Sequence, residues 1–203
     1  MSTVVHPGRG RMRRQFLLLK WRARASLMLG LRRVALDAFD RMLRLRPTDT
    51  YALASRAHVG AQGGNRSTAV VDLRALLRVD PRDAPAWFNL GFLLEQEGEA
   101  AAAEAAFRRA VEIEPGLDRA WYGLGLVLIR QHRHDEAAAA LMRNTELQPM
   151  SPHGWYQLAR VQVELGKADE ALRIIRHLRG FEPKVAAQLE RETGLAVEPS
   201  IAL

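Results

Sequence analysis

Cysteine is absent from the 203-residue sequence, which excludes disulfides, a thiolate nucleophile and cysteine-ligated metal sites. Long hydrophobic runs are missing too, since the longest uncharged apolar stretch, residues 120–129, is far shorter than the roughly twenty residues that span a bilayer. The apolar run 16–19 is broken by Lys20, Arg22 and Arg24, so no secretory signal is predicted. The lack of cysteine fits a reducing compartment, and we expect a cytoplasmic protein.

Acidic residues are absent before Asp37, although this segment holds nine basic residues: Arg9, Arg11, Arg13, Arg14, Lys20, Arg22, Arg24, Arg32 and Arg33. The rest of the chain has 30 − 9 = 21 basic and 23 acidic residues, so the net charge of +7 belongs to the N-terminal end. Such an end attracts nucleic acid, an anionic membrane or an acidic protein, or is a solvated terminus without a ligand. Residues 1–15 show no apolar period and are expected to form a flexible basic arm.

Catalytic residue sets are not found in the sequence. His132, His134 and Asp135 are close together, but two histidines on a turn without a third converging ligand make a poor metal site. No glycine-rich phosphate-binding loop follows a strand pattern. We therefore predict a protein that is not an enzyme, with no cofactor, no metal and no small-molecule substrate.

A period of 34 residues organises most of the chain. Five of the nine prolines recur at this interval: Pro47, Pro81, Pro115, Pro149 and Pro183. The period divides the chain into five repeats, 16–49, 50–83, 84–117, 118–151 and 152–185, whose equivalent positions we call columns. Column four reads Leu19, Leu53, Trp87, Trp121 and Trp155, column seven reads Arg22, Arg56, Leu90, Leu124 and Leu158, and column twenty is always alanine.

Helical spacing explains these columns. Trp87, Leu90 and Leu94 share one face of a helix, and Ala103 with Phe107 begins a second apolar face. Glycine or histidine in column fifteen is expected to reverse the chain between the helices, and the proline to end the second helix. One pair cannot bury its apolar face, so pairs must stack. The predicted fold is all-α, a superhelical α-α solenoid of antiparallel helix pairs, followed by a capping helix over 186–194 and a tail over 195–203.

This pattern resembles the tetratricopeptide repeat (TPR), whose signature combines W-x2-L-G-x2-Y with a later alanine, an aromatic residue and a terminal proline. Five such repeats cover residues 16–185. Repeats one and two depart from the family in column seven, where Arg22 and Arg56 replace leucine. A terminal repeat can present a polar face, which accounts for Arg22. For Arg56, either the helix is rotated, or the guanidinium pairs with Asp37 or Asp40.

The resemblance implies a concave groove, lined by the first helix of each pair, that binds a peptide or helix of a partner protein. It places columns two, five, nine, twelve and thirteen, which we call the groove columns, on this surface, and the candidate residues are Lys20, Arg24, Phe88, Phe92, Arg119, Tyr122, Leu126, Arg130, Tyr156 and Arg160. Phe88, Tyr122 and Tyr156 are predicted to form an aromatic ladder. Apolar residues rimmed by arginine suit a partner segment with apolar anchors and acidic flanks. Alternatively, these rings pack against one another or against the chain's own tail.

The sequence thus favours an adaptor, a scaffold or a chaperone-like subunit. The alternative is nucleic-acid or anionic-surface binding through the arginine-rich N-terminal end. The two functions differ in their salt dependence, because phosphate neutralisation makes affinity fall steeply with salt. The high arginine content favours a bacterial source.

Overall fold

The computed structural model describes residues 7–196, and their side chains from residue 10 onward. The start of the predicted arm, residues 1–6, and most of the predicted tail, residues 197–203, lie outside the described residues. Between residues 7 and 196 the chain forms eleven α-helices and no strand: α1 (Pro7–Met28), α2 (Arg32–Leu45), α3 (Thr50–Gln62), α4 (Arg66–Val79), α5 (Ala84–Gln96), α6 (Ala100–Ile113), α7 (Asp118–Arg130), α8 (His134–Leu147), α9 (Pro152–Glu164), α10 (Ala168–Phe181) and α11 (Pro183–Thr193). The predicted all-α class is confirmed.

The helix boundaries repeat with the period of the sequence. Helices α3, α5, α7 and α9 begin at Thr50, Ala84, Asp118 and Pro152, the first residues of repeats two to five. Two compact units are present, Met1–Leu93 and Leu94–Leu203. The first unit contains α1 to α4 and most of α5, and the second contains the last turn of α5 and α6 to α11. In the first unit α1 packs on α2, α2 on α3 and α3 on α4, and in the second unit each helix from α6 to α11 packs on the next.

In repeats three to five, tryptophan in column four connects the first helix to the proline before it. The indole Nε1 of Trp87 donates to the carbonyl of Pro81 at 3.0 Å, and Trp121 and Trp155 donate to Pro115 and Pro149 at 2.9 and 2.8 Å. The rings are half-buried. The proline ends one helix, and its carbonyl then fixes the tryptophan that begins the packing of the next. This recurrent bond explains why tryptophan and proline share one period.

Small residues allow close approach of helices, as the columns predicted. A Cβ added at Gly125 in α7 would lie 2.7 Å from Cγ of Leu141 in α8. Ala137, the alanine of column twenty in that pair, is fully buried. Because the side chains in these columns are small, the two helices of a pair can pack closely enough to exclude water.

The turn inside each pair requires a left-handed backbone. Gly30, Gly64, Gly98 and Gly166 have φ values of 71°, 86°, 81° and 70°. His132 occupies the same column in repeat four with φ of 57°, and among the described residues it is the one non-glycine residue with positive φ. Glycine adopts this conformation without the steric cost that a Cβ imposes.

Replacing His132 by glycine should therefore stabilise the protein by about 1 kcal/mol, because relief of the left-handed strain outweighs the extra freedom of the unfolded chain. Urea unfolding followed by far-ultraviolet circular dichroism should show a higher midpoint. Gly166→His, the reverse change in repeat five, is the matched control and should lower the midpoint. An unchanged or lower midpoint for His132→Gly would contradict the strain argument.

The N-terminal helix begins earlier than predicted. Helix α1 starts at Pro7, so residues 7–15 belong to a helix and not to a flexible arm. The arginine-rich segment consists mostly of good helix formers, and Pro7 at the first helical position needs no N–H partner. Phe16, Leu19, Ala23 and Ser26 form the buried face of α1.

The C-terminal helix also begins earlier than the predicted residue 186. Pro183 ends α10 and starts α11, again because the first turn of a helix requires no N–H from proline. Ala186 and Leu189 are buried, and α11 packs on α9 and α10. Gly194, with φ of 70°, stops the helix. Leu189 lies 34 residues after Trp155, so α11 occupies the place of a first helix in a sixth pair.

The second arginine of column seven is held by two carboxylates. Arg56 donates from Nη1 to Asp40 at 2.7 Å, and from Nε and Nη2 to the two oxygens of Asp72 at 2.8 and 2.5 Å. Asp72 is 1% exposed. Of the two predicted partners Asp40 is confirmed, whereas Asp37 is wrong because its carboxylate pairs with Arg22 and Arg41. Asp72, which replaces alanine or isoleucine in its column, was not predicted as a partner of Arg56.

Candidate partner-binding face

Helix α7 separates its packing residues from its groove columns. Leu124, Gly125 and Leu128 are buried, whereas Tyr122 and Leu126 are half-buried and Arg119 is exposed. The two sets alternate because residues three or four apart share a helix face. Tyr122 and Leu126 therefore lie side by side on a face that the packing of α7 against α8 leaves accessible.

Tyr156 of α9 is anchored by the C-terminal helix. Its hydroxyl donates to Glu192 of α11 at 2.5 Å, and Gln188 donates to the other carboxylate oxygen of Glu192 at 2.8 Å. The hydrogen bond to Glu192, together with burial, raises the pKa of Tyr156. The same bond is the main cause that lowers the pKa of Glu192. The polar end of Tyr156 thus contacts the chain's own C-terminal helix, while the guanidinium of Arg160 lies 5.8 Å from its ring centroid.

One of the predicted rim cations has a partner within the protein. Arg130 at the end of α7 forms an ion pair with Glu95 in the last turn of α5. Glu95 lies in column twelve, one of the groove columns, but is not among the predicted candidate residues. This pair reduces the charge that Arg130 can offer to another molecule.

A cleft of about 220 Å³ adjoins Arg160. Its lining combines the α7–α8 turn with α9 and consists of Ile129, His132, His134, Gln157, Arg160, Val161 and Glu164. The His132 and His134 rings meet edge to face with centroids 5.9 Å apart. Among the described residues, no three histidine or carboxylate side chains are grouped so as to hold a metal ion.

In the first unit, the candidate residues lie on α1 and α5. Phe88 and Phe92 stack with ring centroids 6.4 Å apart, and Phe92 is 47% exposed. The ammonium of Lys20 lies 4.3 Å from the ring centroid of Tyr51, so this lysine makes a cation–π contact across α1 and α3. Arg24 is exposed, with its guanidinium 5.7 Å from the ring centroid of Trp21. The aromatic ladder that joins Phe88 to Tyr122 and Tyr156 stays a prediction.

Two contacts of the candidate residues were not predicted from the sequence, that of Tyr156 with Glu192 and that of Arg130 with Glu95. Glu192 follows Tyr156 by one period plus two residues, and Arg130 follows Glu95 by one period plus one. First helices of successive pairs bring such positions together, so a search for charged or hydroxyl residues at one period plus one or two would have found both contacts.

Two family models match overlapping parts of the chain. The model described as tetratricopeptide repeat matches residues 55–118. The model described as anaphase-promoting complex, cyclosome, subunit 3 matches residues 96–178. This chain is a tetratricopeptide-repeat protein. No curated protein matches the TPR chain.

Solved TPR structures share its fold. A crystal structure of MamA has a TM-score of 0.76 at 22% identity, covering 91% of this chain and 98% of that chain. MamA from Desulfovibrio magneticus RS-1, from residue 41 to its end, has a TM-score of 0.74 at 21% identity, covering 88% and 96%. YrrB, described as a TPR protein with an unusual peptide-binding site, has a TM-score of 0.74 at 19% identity, covering 83% and 88%. At these identities the likeness concerns the fold alone.

The TPR fold makes the chain a module for contacts with other proteins. Among residues 7–196, none of the helices combines the length and the apolar character needed to cross a bilayer.

Proposed function

We propose that this TPR protein binds a peptide or helical segment of another protein through the groove columns of its first helices, and acts as an adaptor, scaffold or chaperone-like subunit without catalytic activity. The observation that carries the proposal is the exposure of aromatic residues that the helix packing does not require. Phe92 is 47% exposed, and Tyr122 is half-buried although Leu124 and Leu128 already fill the packing face of α7. Aromatic rings accessible in this way supply interface energy at low entropic cost.

The charges on the same helices favour an acidic partner segment. Arg119 and Arg160 are exposed on α7 and α9, the two helices that carry Tyr122 and Tyr156. Arginine forms bidentate hydrogen bonds with carboxylates, and the aromatic groups between such arginines accept apolar anchors. The description of YrrB as a peptide-binding TPR protein supports a peptide as the ligand. A cysteine-free chain suits a reducing compartment such as the cytoplasm.

Tyr122→Ala should weaken partner binding about tenfold or more, because it removes a partly accessible aromatic ring from a groove column. A partner captured from the source cells would be identified by mass spectrometry, and its affinity for the purified chain measured by calorimetry. Met142→Ala is the matched control, since Met142 is a 50% exposed apolar residue on α8, outside the groove columns.

The control should retain the affinity of the natural protein. Equal losses for the two variants would contradict groove binding. A large drop in the melting temperature of Tyr122→Ala would show that the ring belongs to the core. Tyr156→Phe is a better probe of α9 than an alanine variant, because it keeps the ring and removes only the hydroxyl, which donates to Glu192 and accepts a long hydrogen bond of 3.5 Å from Gln188.

A further inference from the structure

Helix α1 exposes a stripe of large apolar side chains on the side opposite its buried face. The α1 stripe consists of Leu17, Leu18, Trp21 and Met28, which are 48%, 70%, 68% and 89% exposed. These positions fall within about a 100° sector of the helix surface, as residues three, four and seven apart do. Exposed apolar residues that are contiguous, and not scattered singly, mark an interaction surface.

Basic residues border the α1 stripe on both sides. Arg11 and Arg22 lie along one edge, and Arg13 and Arg24 lie along the other. All four are exposed. The acidic residue nearest in sequence is Asp37, which contacts Arg22 at 3.6 Å. The stripe is therefore an apolar surface inside a strongly positive field.

The equivalent positions in later repeats indicate what the α1 stripe can contact. Leu18 and Trp21 occupy columns three and six. In repeat five, column three is Gly154, where an added Cβ would meet Asn144 and Thr145 of α8. In repeat four, column six is Gly123, where an added Cβ would meet the ring of Phe107 in α6. Columns three and six of a first helix thus face the second helix of the preceding pair. Within the described residues, no helix precedes α1.

We propose that the α1 stripe is a second docking surface, which takes an amphipathic α-helix with acidic flanks from a partner protein in the place of a preceding second helix. The stacking surface of the repeats continues onto α1, which makes a helix the fitting occupant. The bordering arginines require acidic groups on that helix. A second copy of α1 is a poor occupant, because two surfaces with the same positive charge would repel each other.

The side chains in the stripe also differ from those of an ordinary stacking surface. Column three is alanine or glycine in repeats two to five, and column six is serine, asparagine, glycine or glutamine. Leucine and tryptophan in these columns add apolar area without being buried by the chain. Tryptophan and arginine are the residues most enriched among those that dominate binding energy at interfaces.

Peptide display on the full chain tests this proposal. A library of random 16-residue peptides would be selected on the natural protein and depleted on the Leu18→Ser/Trp21→Ser variant. We expect the enriched sequences to carry apolar residues at helical spacing with aspartate or glutamate beside them. The best peptide, labelled with a fluorophore, should bind the natural protein at least tenfold more tightly than the variant. The same peptide with every aspartate and glutamate replaced by lysine should not bind. Tyr122→Ala should leave this binding unchanged.

Both substituted residues are exposed, so circular dichroism and the melting temperature of the double variant should match those of the natural protein. Enriched peptides without helical spacing or acids would overturn the proposal. So would tight binding of the chain to phosphatidylglycerol vesicles without any selected helix, which would assign the stripe to a membrane surface. Dimerisation of the natural protein in sedimentation, lost in the variant, would assign it to a second copy and also overturn the proposal.

Discussion

Arg56→Leu is expected to destabilise the protein by about 3–5 kcal/mol, because it leaves the carboxylate of Asp72 buried without a cation. Asp72 is 1% exposed, and both of its oxygens accept hydrogen bonds from Arg56. Leucine is the residue of column seven in repeats three to five, so the substitution itself suits the helix packing. The loss should appear as a lower urea midpoint in the circular dichroism signal.

Removing the carboxylate of this pair should reduce stability less than removing the guanidinium. In Asp72→Ala, Arg56 keeps its hydrogen bond to Asp40 and is itself 24% exposed, so solvent and Asp40 still satisfy the charge. A loss of about 1–2 kcal/mol is expected. The double variant Arg56→Leu/Asp72→Ala copies columns seven and twenty-three of repeats three and four, and should recover to within about 1 kcal/mol of the natural protein.

This asymmetry separates charge burial from simple loss of packing. If the double variant is as unstable as Arg56→Leu alone, the cost does not come from an uncompensated carboxylate. If the two single variants lose equal stability, Asp40 does not support Arg56. The analysis by double-mutant cycle is appropriate here because the two residues are in direct contact.

Gly154→Ala is expected to destabilise the second unit by about 2 kcal/mol, as overpacking does in a close-packed interior. A Cβ at this position would lie 2.2 Å from Oδ1 of Asn144 and 3.1 Å from Cγ2 of Thr145. Asn144 is buried, and its Nδ2 donates to the carbonyl of Asp118 at 2.9 Å. The added methyl group would displace the amide and break that bond, which outweighs the better helix propensity of alanine.

The preceding repeat shows which second substitution should restore the stability of Gly154→Ala. The columns of Asn144 and Gly154 hold Ala110 and Ala120 one period earlier, and both alanines are fully buried. Asn144→Ala/Gly154→Ala should therefore be more stable than Gly154→Ala alone. Thermal unfolding of the two variants checks this order. A Gly154→Ala protein as stable as the natural one would show that Asn144 can move without cost, and would contradict the argument.

The candidate groove was only partly accessible from the sequence. Periodicity assigned Tyr122 and Leu126 to a different face from Leu124, and the structure leaves both half-buried on α7. Periodicity did not show that Tyr156 bonds to Glu192 or that Arg130 pairs with Glu95. Those contacts join different helices, and a repeat pattern describes which residues are equivalent, without describing which of them touch.

The N-terminal segment shows a second limit. Without an apolar period, residues 7–15 resembled an arm, yet they form the first turns of α1. Burial of Phe16 and Leu19 already fixes the helix, and the helix extends from there through residues 7–15. Each added residue gains a backbone hydrogen bond at low entropic cost, so no apolar face is needed for this extension. Amphipathic spacing is a signal of burial, and an exposed helix end lacks it.

The sequence by itself determined the repeat length, the helix pairs and the all-α fold, because the apolar period, the turn glycines and the terminal prolines are local properties of the chain. Tertiary structure alone decided which charges are compensated and which apolar residues remain exposed. Asp72 is tolerable only because α3 brings Arg56 to it, and the α1 stripe is exposed only because no helix in the described residues covers it. Burial and pairing depend on which helices meet, and their free energies therefore belong to the packed protein.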